Sequence, residues 1–422
     1  MSDSTNSSSS SLPIEIKYTQ LFINNEFIDS TTKRTFPSIN PATEEILAYV
    51  SEGNELDVDK AVQAAHNAFR STTPGSWRKL EAHERGAYLS CLADLIDRDK
   101  DYIANLEALD NGKPCFMAKV VDANTASRML RYYGGWCDKI TGSTVPTAGG
   151  GLTYTRYEPL GVIAAILPFN FPMLGAVTKA APALAAGNTI VIKPAEQTPL
   201  GALYLASLVR EAGFPPGVFN VVNGPGEITG AALVKHPLVR KITFTGSTPV
   251  GKLIQKEATN TLKRVTLELG GKNACIVLPD ADLDTAVKIS SGGNYFNSGQ
   301  ICVGISRVFV HESVYDQFVE KAIEKASKRT IGDQYSNCDQ GPQASQEQFD
   351  RVLYYIQKGK DEGATCVYGG ERWNKAPNGK GYYILPTIFS NVTDNMTIAK
   401  EEIFGPVMCI LKYSTIDEVS IR

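Results

Sequence analysis

The stretch GVIAAILPFNFPMLGAVTKAAPALAAGNTIVIKP, residues 161–194, joins two continuous apolar runs through a helix-length segment rich in Ala, Leu and Gly. The same texture continues through the runs VFNVVNG, residues 218–224, and KITFTG, residues 241–246. Strands that lack apolar/polar alternation are buried on both faces, as they are in a parallel sheet covered by helices. The stretch therefore predicts an α/β fold with a doubly wound, nucleotide-binding sheet.

A second alternating series follows this region. The apolar run of residues 273–279 precedes a helical segment from about 282 to 297, and the run of residues 307–314 precedes a helix over 315–326. Short apolar runs separated by helical segments again indicate α/β structure. We therefore expect a second α/β domain that begins near Gly271.

The amino-terminal part has a different texture. Residues 1–15 begin with a serine-rich tract and are predicted to be a disordered tail. LFINNEFID, residues 21–29, predicts a hairpin with Asn-Asn at its turn. Apolar residues then recur at helical spacing through residues 58–69 and 81–109. The Thr- and Tyr-rich segment 140–159 predicts a protruding hairpin, which we expect to pair with another subunit because such a ribbon cannot bury itself.

Amino-acid composition argues against several classes of function for this protein. At about 150 residues per domain, 422 residues predict two or three domains. Forty-two basic residues against 45 acidic ones give a net charge of −3, which argues against nucleic acid or anionic lipid as a partner. Eight cysteines without a Cys-x-x-Cys pair and four histidines without metal-ligand spacing predict reduced thiols and no metal site. No membrane-span or targeting pattern is found, so we expect a cytoplasmic protein.

Two loops that follow predicted strands suit a dinucleotide. Gly246 and Ser247 lie between a strand and a helix, where backbone N–H groups approach a phosphate, although a tight strand-to-helix connection has the same pattern. Lys193 and Glu196 follow the strand TIVI, where dinucleotides bind in open sheets. A carboxylate there accepts hydrogen bonds from ribose hydroxyls and repels a 2′-phosphate, which favours NAD over NADP. The alternative is a solvated surface pair.

Three further residues suggest catalysis. Cys302 lies in a small, glycine-rich setting that a substrate can approach, whereas most free cysteines are buried hydrophobes. Glu268 enters an apolar strand, where a carboxylate needs an ion pair or a raised pKa, and a raised pKa suits a general base. Asn170, between prolines and aromatics, has an amide that suits an oxyanion, although an ordinary turn asparagine looks similar.

These motifs occur in one order along the chain: YEPLGVIAAILPFNFP, GNTIVIKPAEQTP, ITFTGSTPVG, TLELGGKN, FNSGQICVGISR and KEEIFGPV. The set resembles the NAD(P)-dependent aldehyde dehydrogenases, especially the cytosolic and mitochondrial aldehyde and retinal dehydrogenase branch. The resemblance runs from about Leu21 to Glu418. It implies NAD-dependent oxidation of an aldehyde to a carboxylic acid through a thiohemiacetal and a thioester on a cysteine, in a homo-oligomer.

The resemblance also implies residue roles. Cys302 takes the position of the nucleophile, Glu268 that of the general base, and Asn170 that of the oxyanion donor. The positions that hold NAD are Lys193, Glu196, Gly226, Gly246, Ser247, Gln348, Glu402 and Phe404. The implied division of the chain is a Rossmann-type NAD-binding domain (16–139 and 160–270), an oligomerisation hairpin (140–159) and an α/β catalytic domain (271–422).

The sequence departs from the family at two places. Phe169 stands where close relatives usually carry tryptophan, which keeps an aromatic surface and removes an N–H donor. The chain also stops at TIDEVSIR, several dozen residues before the family normally ends. This leaves open a non-catalytic alternative, a shortened protein that binds NAD or associates with other subunits. A cysteine hydrolase is a third, weaker alternative.

Overall fold

The computed structural model describes residues 14–376 and 379–422. The predicted tail lies outside this range except for its last two residues. The strands are β1 (Leu21–Ile23), β2 (Glu26–Ile28), β3 (Thr35–Ile39), β4 (Ile46–Ser51), β5 (Thr144–Val145), β6 (Thr153–Tyr154), β7 (Val162–Ile166), β8 (Thr189–Lys193), β9 (Phe219–Val221), β10 (Val239–Thr245), β11 (Arg264–Glu268), β12 (Asn273–Val277), β13 (Ile305–His311), β14 (Thr365–Tyr368), β15 (Thr387–Ser390) and β16 (Val407–Tyr413).

The helices surround these strands. They are α1 (Glu55–Arg70), α2 (Ala82–Arg98), α3 (Lys100–Asn111), α4 (Cys115–Met117), α5 (Asn124–Gly134), α6 (Pro172–Ala185), α7 (Leu200–Glu211), α8 (Ala231–Lys235), α9 (Thr248–Ala258), α10 (Leu283–Tyr295), α11 (Tyr315–Ser327), α12 (Gln346–Asp361), α13 (Thr397–Lys400) and α14 (Ile416–Ser420). A π-helical segment, Ala118–Ala123, joins α4 to α5. Among the described residues, no helix is long and apolar enough to cross a membrane.

The first sheet has seven strands in the order β11-β10-β7-β8-β9-β1-β2. The five strands from β11 to β9 run parallel, and every residue of β7 and β8 is buried. The predicted doubly wound sheet is therefore confirmed. The predicted hairpin of β1 and β2 is also confirmed, and its turn residues Asn24 and Asn25 take the positive φ angles of 57° and 65° that such a turn requires.

The second sheet has five strands in the order β12-β13-β16-β15-β14. All neighbours run parallel except β14, which is antiparallel to β15. Only residues 269–272 separate the end of β11 in the first sheet from the start of β12 in the second. The carboxyl end of β11 therefore lies at the junction of the two sheets. The division into domains at residues 139, 159 and 270 stays a prediction.

The segment 140–159 forms a hairpin in which Thr144 pairs with Tyr154 and Val145 with Thr153. Every residue from 138 to 159 is exposed, so the hairpin protrudes from the rest of the chain. The predicted shape is confirmed. Its predicted pairing with another subunit stays a prediction.

Candidate active site

The candidate residues converge because neighbouring parallel strands end together. In the first sheet Ile166 of β7 lies opposite Lys193 of β8 and Phe244 of β10, while Thr245 lies opposite Glu268 of β11. The loops that follow these strands therefore share one edge of the sheet. Ligands of open α/β sheets bind at this carboxyl edge.

One end of this edge is a compact cluster of Lys193, Glu196 and Gly226, which we call the cofactor corner. The Lys193 ammonium is 2% exposed and donates to Glu196 Oε2 at 3.0 Å and to the Pro194 carbonyl at 2.9 Å. The alternative of a solvated pair is therefore wrong for Lys193. Burial by itself raises the pKa of Glu196, but Lys193 and the N–H groups of Glu196 and Gly226 outweigh burial and hold that pKa below its usual value. The cofactor corner thus presents a charged carboxylate.

The turn of Gly246 and Ser247 follows β10, which is separated from β8 and the cofactor corner by β7. A Cβ at Gly246 would lie 2.4 Å from the Phe244 ring, so glycine is required for this close approach. Ser247 is the exposed N-cap of α9, and within the described chain its side chain makes no capping hydrogen bond. Pro249 has no N–H, so the N–H groups of Thr248 and Val250 at the start of α9 are the ones available to an anion. This donor set and the glycine cradle fit the phosphates of a dinucleotide.

Cys302 lies in the thiol loop, which we define as residues 296–303. Helix α10 ends at Tyr295, and Asn297, Ser298 and Gly299 then take left-handed φ angles of 50°, 57° and 76°. The predicted helix therefore ends two residues early. Non-glycine residues adopt this conformation only where the surroundings enforce it. The thiol loop is thus a strained turn that leaves Cys302 exposed, so Cys302 is not one of the buried structural cysteines.

Buried amide side chains hold the thiol loop. The Ser298 hydroxyl donates to the Gly341 carbonyl at 2.9 Å, and Gln343 Nε2 donates to the Ser298 carbonyl at 3.1 Å. Gln300 Oε1 accepts from the Ala344 N–H at 2.9 Å. These bonds tie both sides of the turn to residues 341–344, and they account for its unusual backbone.

Asn170 lies directly against the thiol loop. Its side chain is buried, and its Nδ2 donates to the Gln300 carbonyl at 2.9 Å. Asn297 Nδ2 in turn donates to the Asn170 carbonyl at 3.2 Å. An amide NH₂ has two donors, so Asn170 retains one for a ligand beside Cys302. The structure therefore brings Asn170 and Cys302 into one unit.

Glu268 corrects one sequence expectation. The prediction placed its carboxylate in a buried apolar strand, but β11 is the edge of the sheet and Glu268 is exposed at its end. The Glu268 carbonyl accepts the Gly246 N–H at 3.0 Å, which links this strand end to the phosphate turn. An exposed carboxylate at the junction of two sheets can take a proton from water without first losing a buried partner.

Lys179 lies in no motif of the sequence, yet the structure places it near the candidate catalytic residues. Burial lowers the pKa of the Lys179 ammonium, and Lys241 acts in the same direction, whereas the electrostatic influence of Glu268 and Cys302 opposes this change. Lys179 therefore lies within electrostatic reach of both Glu268 and Cys302. The signal that identifies it in the sequence is its isolation, because it is the single charged residue of the otherwise apolar helix α6.

Three expected cofactor residues lie on the other side of Cys302. A Cβ at Gly270 would lie 2.1 Å from Glu402 Oε2, so the Glu402 carboxylate packs on the backbone there. Burial raises the pKa of Glu402, although a backbone N–H donates to its carboxylate. Gln348 Nε2 donates to the Phe404 carbonyl at 2.7 Å and so fixes Phe404, which has a φ of 63°. Glu402, Phe404 and Cys302 line one pocket.

The described residues contain no group of three or more His, Cys, Asp or Glu side chains that could hold a metal ion. The parallel sheet carries a charged corner and a free helix terminus on one edge, and an exposed thiol lies beside it. These features define a nucleotide-dependent enzyme with a thiol near its cofactor site.

Comparison with known sequences gives the family. The sequence pattern of the aldehyde dehydrogenase family matches residues 27–422. Human retinaldehyde dehydrogenase 3 is 54% identical over 411 residues, which cover 97% of this chain and 79% of that relative. The rat protein named aldehyde dehydrogenase, cytosolic 1, is 51% identical over 411 residues, which cover 97% of this chain and 81% of that relative. The chain belongs to the aldehyde dehydrogenase family.

Solved structures agree with this assignment. The NAD+ complex of aldehyde dehydrogenase from Bacillus cereus has a TM-score of 0.92 and 46% identity, and the match covers 96% of this chain and 81% of that one. An NADP-dependent enzyme from E. coli has a TM-score of 0.91 and 36% identity, with 95% and 82% of the two chains covered. The predicted α/β aldehyde dehydrogenase fold and the predicted oxidation of aldehydes are confirmed, with the cofactor established as NAD or NADP.

Proposed function

We propose that this enzyme oxidises aldehydes to carboxylic acids with Cys302 as the nucleophile, Asn170 as the oxyanion donor and Glu268 as the general base. The observation that carries this assignment is the hydrogen bond from Asn170 Nδ2 to the Gln300 carbonyl, which seats the amide two residues from the exposed Cys302 thiol. Catalysis by a positioned amide requires this proximity before the substrate arrives.

The chemistry follows from these positions. The Cys302 thiolate adds to the aldehyde carbon, and the carbonyl electron pair moves to oxygen, where the Asn170 amide stabilises the negative charge. A nicotinamide dinucleotide held by the cofactor corner, Glu402 and Phe404 would accept the hydride that leaves this carbon, and loss of that hydride converts the adduct on Cys302 into a thioester. Glu268 then takes a proton from water, which attacks the Cys302 thioester, releases the carboxylic acid and restores the thiol.

A two-part kinetic experiment tests the assignment. Wild-type protein is mixed with NAD and a panel of short-chain, aromatic and retinoid aldehydes, and NADH formation is followed. We expect NADH with at least one class, and NAD binding without NADH would favour a non-catalytic protein. In Glu268→Gln we expect a burst of about one NADH per subunit followed by slow turnover, because acylation precedes the base-dependent step. A uniformly slow reaction without a burst would contradict the role of Glu268.

The cofactor is, on this proposal, NAD rather than NADP. The support is the ionised Glu196 carboxylate, held by Lys193 and the Gly226 N–H in the cofactor corner. A fixed negative charge at the adenosine ribose accepts the 2′-hydroxyl and repels a 2′-phosphate. Gly246 and Ser247 would receive the pyrophosphate, and Glu402, Phe404 and Gln348 would hold and face the nicotinamide end. A comparison of kcat/KM for the two cofactors tests this preference.

The proposed assembly is a homo-oligomer that forms through the hairpin of residues 140–159. The support is its exposure, since Leu152, Tyr154 and Tyr157 are 80%, 66% and 72% exposed and a two-stranded hairpin is marginally stable alone. Light scattering coupled to size-exclusion chromatography gives the subunit number. Tyr154→Asp should shift it to monomer, and an unchanged mass would contradict the role of the hairpin.

We propose a cytoplasmic location, supported by the similarity to the rat protein named aldehyde dehydrogenase, cytosolic 1. Cell fractionation with an antibody to this chain tests it. Recovery in an organelle or membrane fraction would contradict the proposal.

A further inference from the structure

A buried ion pair lies behind the candidate oxyanion donor, away from the pocket of Cys302. Lys113 follows helix α3, and Asp122 lies in the π-helical segment Ala118–Ala123. Lys113 Nζ donates to Asp122 Oδ2 at 2.6 Å, and the two side chains are 1% and 0% exposed. Neither residue is part of the chemistry or of the cofactor site proposed above.

The Lys113 ammonium has three donors, and each has a partner. One donates to Asp122, a second donates to the Asn170 carbonyl at 2.9 Å, and the nitrogen lies 4.3 Å from the centroid of the Phe171 ring. This is a cation held by a carboxylate, a carbonyl and a ring face. Two of the three partners belong to the loop that carries Asn170.

Neighbouring groups complete the attachment of this loop. The Phe169 carbonyl accepts from Asn111 Nδ2 at 2.8 Å and from the Thr198 hydroxyl at 3.2 Å. The Asn170 carbonyl accepts a second bond from Asn297 of the thiol loop. Lys113 is thus the one charged donor among the groups found on these two consecutive carbonyls.

Simple stabilisation is a poor explanation for this pair. Burying two charges removes them from water, and an apolar pair of similar volume often stabilises a protein as well. A π-helical segment is also unusual, and such segments occur frequently at functional sites. Here it carries Asp122, and Asp122 holds the ammonium in place. The arrangement suits a role in fixing the position of the Asn170 backbone carbonyl.

We propose that the Lys113–Asp122 ion pair positions the Asn170 amide. The hydrogen bond from Lys113 to the Asn170 carbonyl fixes the backbone of Asn170, and the backbone determines where the side-chain amide meets the oxyanion formed at Cys302. This inference rests on the oxyanion role proposed above for Asn170. Lys113 and Asp122 are positioning residues, since both act through Asn170. Their effect belongs to the chemical step and not to cofactor binding.

The test compares Lys113→Met/Asp122→Leu, which removes both charges of the pair together, with a matched control. Lys263→Met is that control, because Lys263 Nζ also donates to two backbone carbonyls, those of Val234 and His236, at 2.6 and 2.8 Å. For the double variant we expect a fall in kcat of about tenfold or more, with NAD affinity and the rate of Cys302 alkylation by iodoacetamide little changed. Lys263→Met should lower the thermal midpoint and keep kcat.

Asn170→Ala separates this inference from the proposed function. If Asn170→Ala keeps the wild-type kcat, the oxyanion role fails, and this inference fails with it. If Asn170→Ala lowers kcat about 100-fold or more, as removal of an oxyanion donor does, and the double variant does not lower kcat, this inference alone is overturned. When all three substitutions are combined, we expect no loss beyond that of Asn170→Ala. Additive losses would show that Lys113 acts elsewhere.

Asp122→Asn provides the same comparison if the double variant does not fold. It keeps the shape of the side chain and weakens the hold on Lys113. We expect a smaller fall in kcat, again without a change in NAD affinity or in Cys302 alkylation. A folded Asp122→Asn with wild-type kcat, or an equal loss of kcat in Lys263→Met, would overturn the proposal.

Discussion

The cofactor corner and the thiol loop differ in their backbone conformation and in the exposure of their functional side chains. In the cofactor corner, Lys193 and backbone N–H groups hold Glu196 as a charged carboxylate, and none of Lys193, Glu196 and Gly226 has a positive φ angle. In the thiol loop, the backbone is left-handed at Asn297 and Ser298, and the Cys302 side chain is exposed. In a site that only binds a ligand, the charged groups can have protein partners before the ligand arrives. In a site that forms a covalent bond, the nucleophile stays exposed to the substrate, and hydrogen bonds to the surrounding loop hold it in position.

The largest effect should come from Cys302→Ala, which removes the nucleophile and nothing else. We expect aldehyde oxidation to fall by at least about 10⁴-fold, because residues that act as a catalytic unit cannot replace one another. NAD affinity, measured by isothermal titration, should stay near the wild-type value, since the cofactor corner is separate from the thiol. Turnover that persists in this variant would refute the assignment of Cys302.

The second prediction concerns the strain of the thiol loop. A Cβ at Gly299 would lie 2.1 Å from the carbonyl of Gly405, and the φ of Gly299 is 76°. Gly299→Ala should therefore lower the free energy of unfolding by about 3 kcal/mol or more, and it should also displace the adjacent Phe404. Urea denaturation and the KM for NAD measure these two effects.

Gly149→Ala is the matched control for this substitution. Gly149 has a similar φ of 85° in the exposed hairpin, but no described atom lies within 4 Å of its Cβ position. We expect a cost of about 1–2 kcal/mol there, from the backbone alone. Equal costs at the two glycines would show that the packing of the thiol loop against Gly405 is not tight.

The third prediction concerns Asp110. Its carboxyl group is buried, but its pKa is not lowered by a paired lysine as that of Glu196 is. Asp110 accepts hydrogen bonds from the Ser38 hydroxyl and the Leu200 N–H, both at 2.8 Å, and burial raises its pKa from 3.8 to about 7. The folded state therefore binds this proton more tightly than the unfolded state. The resulting stability is complete below about pH 4 and is lost as the pH rises through about 7.

Between pH 5 and pH 7 we expect the free energy of unfolding to fall by on the order of 2 kcal/mol through Asp110. Asp110→Asn should remove this part of the slope, whereas Asp94→Asn, at an exposed carboxylate, should leave the slope unchanged. Urea denaturation at several pH values measures it. A wild-type slope that persists in Asp110→Asn would assign the titration to another group.

The two regions also differ in how far sequence predicts them. The strands that end at Lys193 and just before Gly246 are local apolar runs, and the loops that follow them lie at the expected edge. Glu268 was expected in a buried strand because its neighbours are apolar, but the order of strands in a sheet depends on long-range pairing and placed β11 at the edge. The helix expected up to residue 297 ends at 295, because hydrogen bonds to residues 341–344 hold the left-handed turn.

Residues that act through others are the hardest to find in the sequence. Lys113 and Asp122 are nine positions apart in a segment with no motif, and their role depends on Asn170, 57 residues beyond Lys113. Lys179 has a weak signal as the single charge of α6. The sequence thus predicts residues that contact a ligand better than it predicts residues that position them. Positioning depends on tertiary contacts, which leave no local motif in the sequence.

The smallest predicted effect lies in the cofactor corner, and it tests whether the ionised Glu196 selects the cofactor. Glu196→Gln keeps the size and an acceptor for Lys193 and removes the negative charge. We expect the ratio of kcat/KM for NAD to that for NADP to fall about 10-fold, because repulsion of a 2′-phosphate is lost while the ribose hydroxyl keeps a partner. Glu227→Gln, at an exposed neighbouring carboxylate, is the control and should leave the ratio unchanged. A ratio that stays constant in Glu196→Gln would mean that the preference arises from shape and not from charge, and the cofactor corner would then be a structural ion pair.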